Sequence, residues 1–148
     1  MATLEQTQRL DQANTLIGVI AAHGRRFFYN ARHDRTAQLS LNAKGQVVFT
    51  DDFTGQPTVF EGKVLERATV AFSHGGTLKH LIAHLADYVR DGAPLHRGYI
   101  APPMGDTRDL WGYGATAVAA LHAAAFALPI FTQPIANATK KPGRFRPR

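Results

Sequence analysis

Thr36-Ala37-Gln38-Leu39-Ser40-Leu41 places Ala37, Leu39 and Leu41 on one face of an extended chain and Thr36, Gln38 and Ser40 on the other. Successive side chains of a strand point to opposite faces, so this alternation specifies a strand that is buried on one side and wet on the other. One-sided strands belong to antiparallel sheets whose helices cover a single face. Asn42-Ala43-Lys44-Gly45 follows as a hairpin turn into an arm at Gln46 to Asp51, and Asp52-Phe53-Thr54-Gly55 as a second turn into Pro57 to Glu61. Upstream, Phe27-Phe28-Tyr29 is β-prone, and Val64 to Phe72 is ambiguous as a further strand.

Outside this region the period changes to that of helices. Leu4 to His23 carries Leu10, Ala13, Ile17, Ile20 and Ala21 at spacings of three and four, with Gly24 where a left-handed cap belongs. Thr77 to Asp91 has Leu78, Leu81, Ile82, Leu85, Tyr88 and Val89 along one stripe, and Gly92 then Pro94 end it. Ala93 to Gly114 is a long ordered loop rich in Pro and Gly, and Ala115 to Leu128 an alanine-rich helix stopped by Pro129. The expectation is an α+β fold: an antiparallel meander of three to four strands, with an N-terminal helix and two following helices on one face. Residues 1–131 form the single domain, and 132–148 a flexible basic tail.

The chain has 148 residues, 45% of them hydrophobic and 19% charged, enough for one core without staples. It has no cysteine, which excludes a thiolate metal site, a cysteine nucleophile and a disulfide framework. That and the polar start of the chain point to the cytoplasm. Leu110 to Phe131 is mostly alanine and interrupted by Gly112, Gly114, His122 and Pro129, so no membrane segment is expected. Lys140, Lys141, Arg144, Arg146 and Arg148 are five of the last nine residues. Without them the formal charge falls from +6 to +1, so the basicity is mostly a tail.

Candidate chemistry divides into a few clusters, each with a functional and a structural reading. Arg25, Arg26, Phe28, Arg32 and Arg35 lie around the aromatic strand. Strand alternation leaves an arginine and at least one aromatic on the wet side, where rings stack on bases and arginines contact phosphates; alternatively the aromatics close the core and the arginines solubilise an edge. Gly75, Gly76 and Thr77 open a helix with Lys79 nearby, so they either grip an anion on free N–H groups or form a tight turn with Thr77 or Ser73 as N-cap. No Walker or GxGxxG pattern is present.

Asp52 with Glu61 and Lys63 forms an aspartate plus E-x-K arrangement like that of Mg²⁺-dependent nucleases, in which carboxylates hold the metal and the lysine stabilises developing charge. E-x-K is common by chance, and Asp-Phe-Thr-Gly is also a good turn. His80, His84 and Asp87 share a helix face, but it points away from the leucine stripe and lacks HExxH, so a solvated polar face is favoured over a metal site. His122, set among alanines, reads as a packed histidine with a local partner. Trp111 and Tyr113 sit in a Gly-rich loop, as a hot spot or as anchors to the core.

The segments His23-Gly24-Arg25-Arg26-Phe27-Phe28, Asp51-Asp52-Phe53-Thr54-Gly55, Ser73-His74-Gly75-Gly76-Thr77-Leu78 and Leu110-Trp111-Gly112-Tyr113-Gly114 resemble small uncharacterised proteins of bacterial phages, plasmids and integrated mobile elements. That resemblance implies a mobile-element setting and transfers no activity or site. The expected function is a non-enzymatic nucleic-acid-binding accessory protein, without cofactor, that contacts DNA or RNA phosphates through Arg25, Arg26, Arg32, Arg35, Lys79 and the basic tail, with Phe28 as the aromatic. The alternatives are the Mg²⁺-dependent nuclease and a protein-interaction module, either a homodimer through residues 115–128 or an inhibitor of a host enzyme.

Overall fold

A computed structural model describes residues 3–24, 27–59, 76–95 and 115–135. The elements in chain order are α1 (Leu4–Gly24), β1 (Tyr29–Asn30), β2 (Arg35–Thr36), β3 (Gln38–Leu41), β4 (Val47–Thr50), β5 (Pro57–Val59), α2 (Gly76–Asp91), α3 (Ala115–Phe126) and α4 (Pro129–Thr132). The fold is α+β, as its alternation and periodicity require.

Helix α1 begins with a reciprocal cap. The Gln6 N–H donates to Thr3 Oγ1 at 3.1 Å and the Thr3 N–H to Gln6 Oε1 at 2.9 Å, so two of the first turn's orphan donors are satisfied. Its Ala13, Leu16, Ile17, Ile20 and Ala21 are buried. Gly24 is still helical, so the helix includes the residue expected to cap it. In α2 the buried stripe is Leu81, Ile82, Leu85, Ala86, Tyr88 and Val89. Gly92 ends it at φ 78° with its N–H on the Tyr88 carbonyl at 2.8 Å, the left-handed cap that glycine permits. Helix α1 packs against α2, α3, α4 and β3, and α2 packs against β4, so α1 is the element around which the core assembles.

Two antiparallel sheets form, β1-β2 and β3-β4-β5. In the second, Phe49 faces Leu39 on one side and Thr58 on the other, while Val48 faces Ser40 and Val59. Leu39, Val47 and Phe49 are buried against the helices, as the alternation requires. The β3–β4 turn is closed by Asn42, whose Oδ1 accepts from the N–H groups of Lys44 and Gln46 at 3.0 and 2.9 Å, with Gly45 at φ 80°. β3 is an edge strand, and its exposed rim is covered from α1: Asn14 donates to the Leu39 carbonyl at 2.9 Å and accepts from the Leu39 N–H at 2.7 Å. One side chain thereby replaces a neighbouring strand.

Three expectations are corrected. The aromatic strand is shorter than expected: Phe28 takes a left-handed φ of 66°, a conformation costly for a non-glycine residue, and is buried with Asn30 while Phe27 and Tyr29 stay half-buried. The Phe28 ring lies fully in the core, edge-to-face on Phe49 at 6.4 Å, and β1 is only Tyr29–Asn30. Next, α3 stops at Phe126, and Pro129 starts α4 after an extended Leu128 instead of merely ending a helix; its missing N–H is harmless in a first turn. Finally, the chain after Thr132 is held as far as Ile135. The Ile135 N–H donates to Tyr88 Oη at 2.9 Å, and its carbonyl accepts from Arg9 Nη1 at 3.3 Å. Residues 60–75, 96–114 and 136–148 lie outside the described residues, and with them Val64 to Phe72, the long Pro/Gly loop and the basic tail.

Candidate functional site

The open face of the three-stranded sheet follows from its register. Gln38, Thr50 and Pro57 are aligned, as are Ser40, Val48 and Val59, all on the side opposite Leu39 and Phe49. These six residues include neither a cation nor an aromatic ring, so the suggested arginine-and-aromatic surface around residues 25–35 is a separate part of the molecule. Phe28 is at 0% exposure and offers no face to a base. Phe27 and Tyr29 are half-buried against the same core, and the Tyr29 hydroxyl donates to Asp34 Oδ1 at 2.8 Å.

Arg35 is built into the fold. Its Nη1 donates to the carbonyls of Asp52 and Phe53 at 3.3 and 3.4 Å, tying β2 to the β4–β5 turn. Gly55, at φ 71°, makes room for it: a Cβ there would lie 2.7 Å from Arg35 Nη1. The same turn is fixed from within by Asp51, whose Oδ2 accepts from the N–H groups of Phe53 and Thr54, each at 2.9 Å. Asp51 and Asp52 are 0% and 2% exposed, whereas Phe53 at the tip is 64% exposed.

Arg32 is exposed in the β1–β2 turn, where no ion pair or hydrogen bond engages it among the described residues. Arg25 and Arg26 lie outside the described residues, as do Gly75, Glu61 and Lys63, and Lys140, Lys141, Arg144, Arg146 and Arg148. The backbones of Gly76, Thr77 and Lys79 form the first turn of α2. The helix begins at Gly76, so Thr77 is inside it and not its N-cap.

Asp52 therefore sits in a structured turn. His80 is exposed, and Asp87 accepts from Arg90 Nη2 at 2.6 Å. Among the described residues no three His, Asp or Glu side chains converge as metal ligands. His122 has a ring neighbour, Phe126 at 5.9 Å, but its buried Nε2 makes no hydrogen bond.

Arg9 was invisible as a structural residue in the sequence. It is fully buried, and its guanidinium donates to the carbonyls of Val89, Arg90 and Ile135 at 3.1, 3.4 and 3.3 Å while lying 6.0 Å from the Tyr88 ring centroid. Two of those carbonyls belong to the last turn of α2, where a cation also meets the negative end of the helix dipole. Burial lowers the Arg9 pKa from its ordinary value, opposed by Tyr88, Glu5 and Asp91. The Tyr88 hydroxyl donates in turn to Gln12 Oε1, and burial pushes its pKa up. The only sequence signal was an arginine four residues before Ala13, on the buried side of α1.

The described residues carry six Lys and Arg against seven Asp and Glu, and Arg9, Arg35 and Arg90 of the six are engaged with carbonyls or carboxylates. The other eleven of the seventeen basic residues lie outside them. Among the described residues no helix is long and apolar enough to cross a membrane.

The chain matches the family model described as YoqU over residues 3–130. It is similar to the SPbeta prophage-derived uncharacterized protein YoqU of Bacillus subtilis (strain 168), 28% identical over 113 residues, which are 76% of this chain and 75% of that protein. No solved structure matches it. Residues 131–148, with the five basic residues of the tail, lie beyond the family match.

Proposed function

Since the chain belongs to the YoqU family, whose matched relative is carried by a prophage, we propose that it is a non-enzymatic nucleic-acid-binding accessory protein of a bacterial mobile element. One observation supports the reading above the others: five of the last nine residues are basic, and without them the formal charge falls from +6 to +1. The described residues carry seven carboxylates against six cations, while Arg25 and Arg26 directly precede the aromatic segment. Binding through such contacts is independent of base sequence and steep in salt, because each neutralised phosphate releases condensed counterions.

Fluorescence anisotropy with labelled single- and double-stranded oligonucleotides across a salt titration tests this. Deleting residues 139–148 removes five cations and flattens the logarithmic salt slope on duplex by up to ~4.5, at about 0.9 per phosphate contact. No detectable affinity for DNA or RNA at low salt ends the proposal.

A second reading, self-association through residues 115–128, is favoured by the composition of α3 and α4. Residues 115–135 contain no charged side chain, and Ala119, Ala120, Ala123 and Ala127 are exposed. Interface cores are depleted of charge in the same way. A monomer mass by light scattering at high protein concentration removes that reading.

A further inference from the structure

Phe53 is the one exposed aromatic residue among those described; Phe27, Phe28, Tyr29, Phe49, Tyr88, Phe126 and Phe131 are all buried or half-buried. Its backbone is nevertheless held on both sides, by the Asp51 carboxylate on its N–H and the Arg35 guanidinium on its carbonyl. The fold thus commits a buried carboxylate and a tethered arginine to fixing a residue whose own ring contributes nothing to the core. A ring presented on a fixed turn loses little conformational freedom on meeting a ligand.

The surroundings indicate which ligand. Protein hot spots sit within apolar patches, but the neighbours of Phe53 are Thr54, Gly55 and Gln56. Across the Arg35 tether lies the turn carrying exposed Arg32 and His33. The carboxylates of Asp51 and Asp52 belong to buried residues and do not face an approaching phosphate. An exposed aromatic ring on one turn and an unengaged arginine on the turn that leads into its Arg35 tether are the two parts that hold single strands, where the ring stacks on an unpaired base and the cation meets the backbone.

We propose that Phe53 is the base-stacking residue of this protein and Arg32 its phosphate-contacting neighbour, so that the β1–β2 and β4–β5 turns together grip single-stranded nucleic acid. This rests on the nucleic-acid reading above and adds to it the strand preference and the residue responsible. The stacking role that the sequence suggested for Phe28 passes to Phe53.

The test uses the full chain with a fluorescein-labelled dT15 and a 15-base-pair duplex. Phe53→Ala weakens dT15 binding by about 5- to 100-fold, the range of one lost base stack, and leaves its salt slope and the duplex affinity unchanged. Arg32→Ala lowers the dT15 slope by roughly 0.7. Phe53→Trp restores binding and adds fluorescence that dT15 quenches. Melting of Phe53→Ala within about 2 °C of wild type shows that the fold is intact, as expected for a surface position. If Phe53→Ala binds dT15 like wild type, or loses duplex and single strand alike, the stacking assignment is overturned while nucleic-acid binding stands. If the wild type binds neither probe at low salt, the functional reading itself falls.

Discussion

Replacing Arg9 with methionine isolates what a buried guanidinium does for this fold. Methionine keeps most of the apolar stem and removes all three donors, so the carbonyls of Val89 and Ile135 lose their side-chain partner and that of Arg90 keeps only Gln6 Nε2 at 3.1 Å, in a site with 0% exposure at residue 9. Hydrogen bonds to a charged donor contribute about 1.5–3 kcal/mol each. The bonds here span 3.1 to 3.4 Å, so the two longer ones count for less. Against this, methionine relieves the desolvation of the guanidinium, worth several kcal/mol. The balance is a loss of about 2–4 kcal/mol, a large share of the stability of an ordinary domain.

For a chain of this size that corresponds to a melting temperature roughly 5–15 °C lower. Urea unfolding followed by far-UV circular dichroism reads it directly, with an unchanged m-value expected. Arg9→Lys recovers less than half of the loss, because one ammonium cannot reach three carbonyls set around a planar fork. An Arg9→Met protein as stable as wild type, or more so, refutes the reasoning; desolvation would then outweigh the bonds, as it does for some buried ion pairs.

Asn14→Ala strips both partners from the Leu39 backbone at the open edge of β3, and costs about 1–3 kcal/mol by urea unfolding, with faster hydrogen exchange at the Leu39 amide. Unchanged exchange there would remove the edge-covering role. Gly55→Ala forces a side chain onto φ 71° and against Arg35 Nη1, and destabilises by roughly 1–3 kcal/mol in the same assay; a neutral result would mean that the turn and the arginine yield freely. Tyr88 has its pKa raised above the ordinary tyrosine value near 10, so the folded state holds the proton longer than the unfolded chain. Its contribution is complete below about pH 10 and falls as pH rises beyond that. The stability gap between wild type and Tyr88→Phe therefore narrows above about pH 10, and a constant gap in urea titrations from pH 8 to 11 would contradict this.

Much of the fold was legible because it is written in local periods. The alternation from Thr36 to Leu41 fixed a one-sided strand, the three-and-four spacing from Ala13 to Ala21 fixed the buried face of α1, and Gly92 marked the end of α2. Each of these depends only on where a side chain points relative to its near neighbours in sequence. The mobile-element setting was legible in the same way, from several short motifs spread across the chain. The candidate site was less so. Alternation left open which face of the aromatic strand meets the core, and the packed structure takes the one that carries Phe28.

What the amino-acid order determined by itself is therefore the kind and sequence of elements and the separation of a basic tail from a nearly balanced remainder. Tertiary structure alone decided which polar side chains become part of the framework. Arg9 meets α2 across 80 positions and Asn14 meets β3 across 25, while Arg35 closes on a turn 17 and 18 residues away. No local rule distinguishes these residues from solvated ones. An arginine on a helix or a strand is exposed or buried according to whether unpaired carbonyls arrive beside it, and those carbonyls are brought there only when the whole chain has packed.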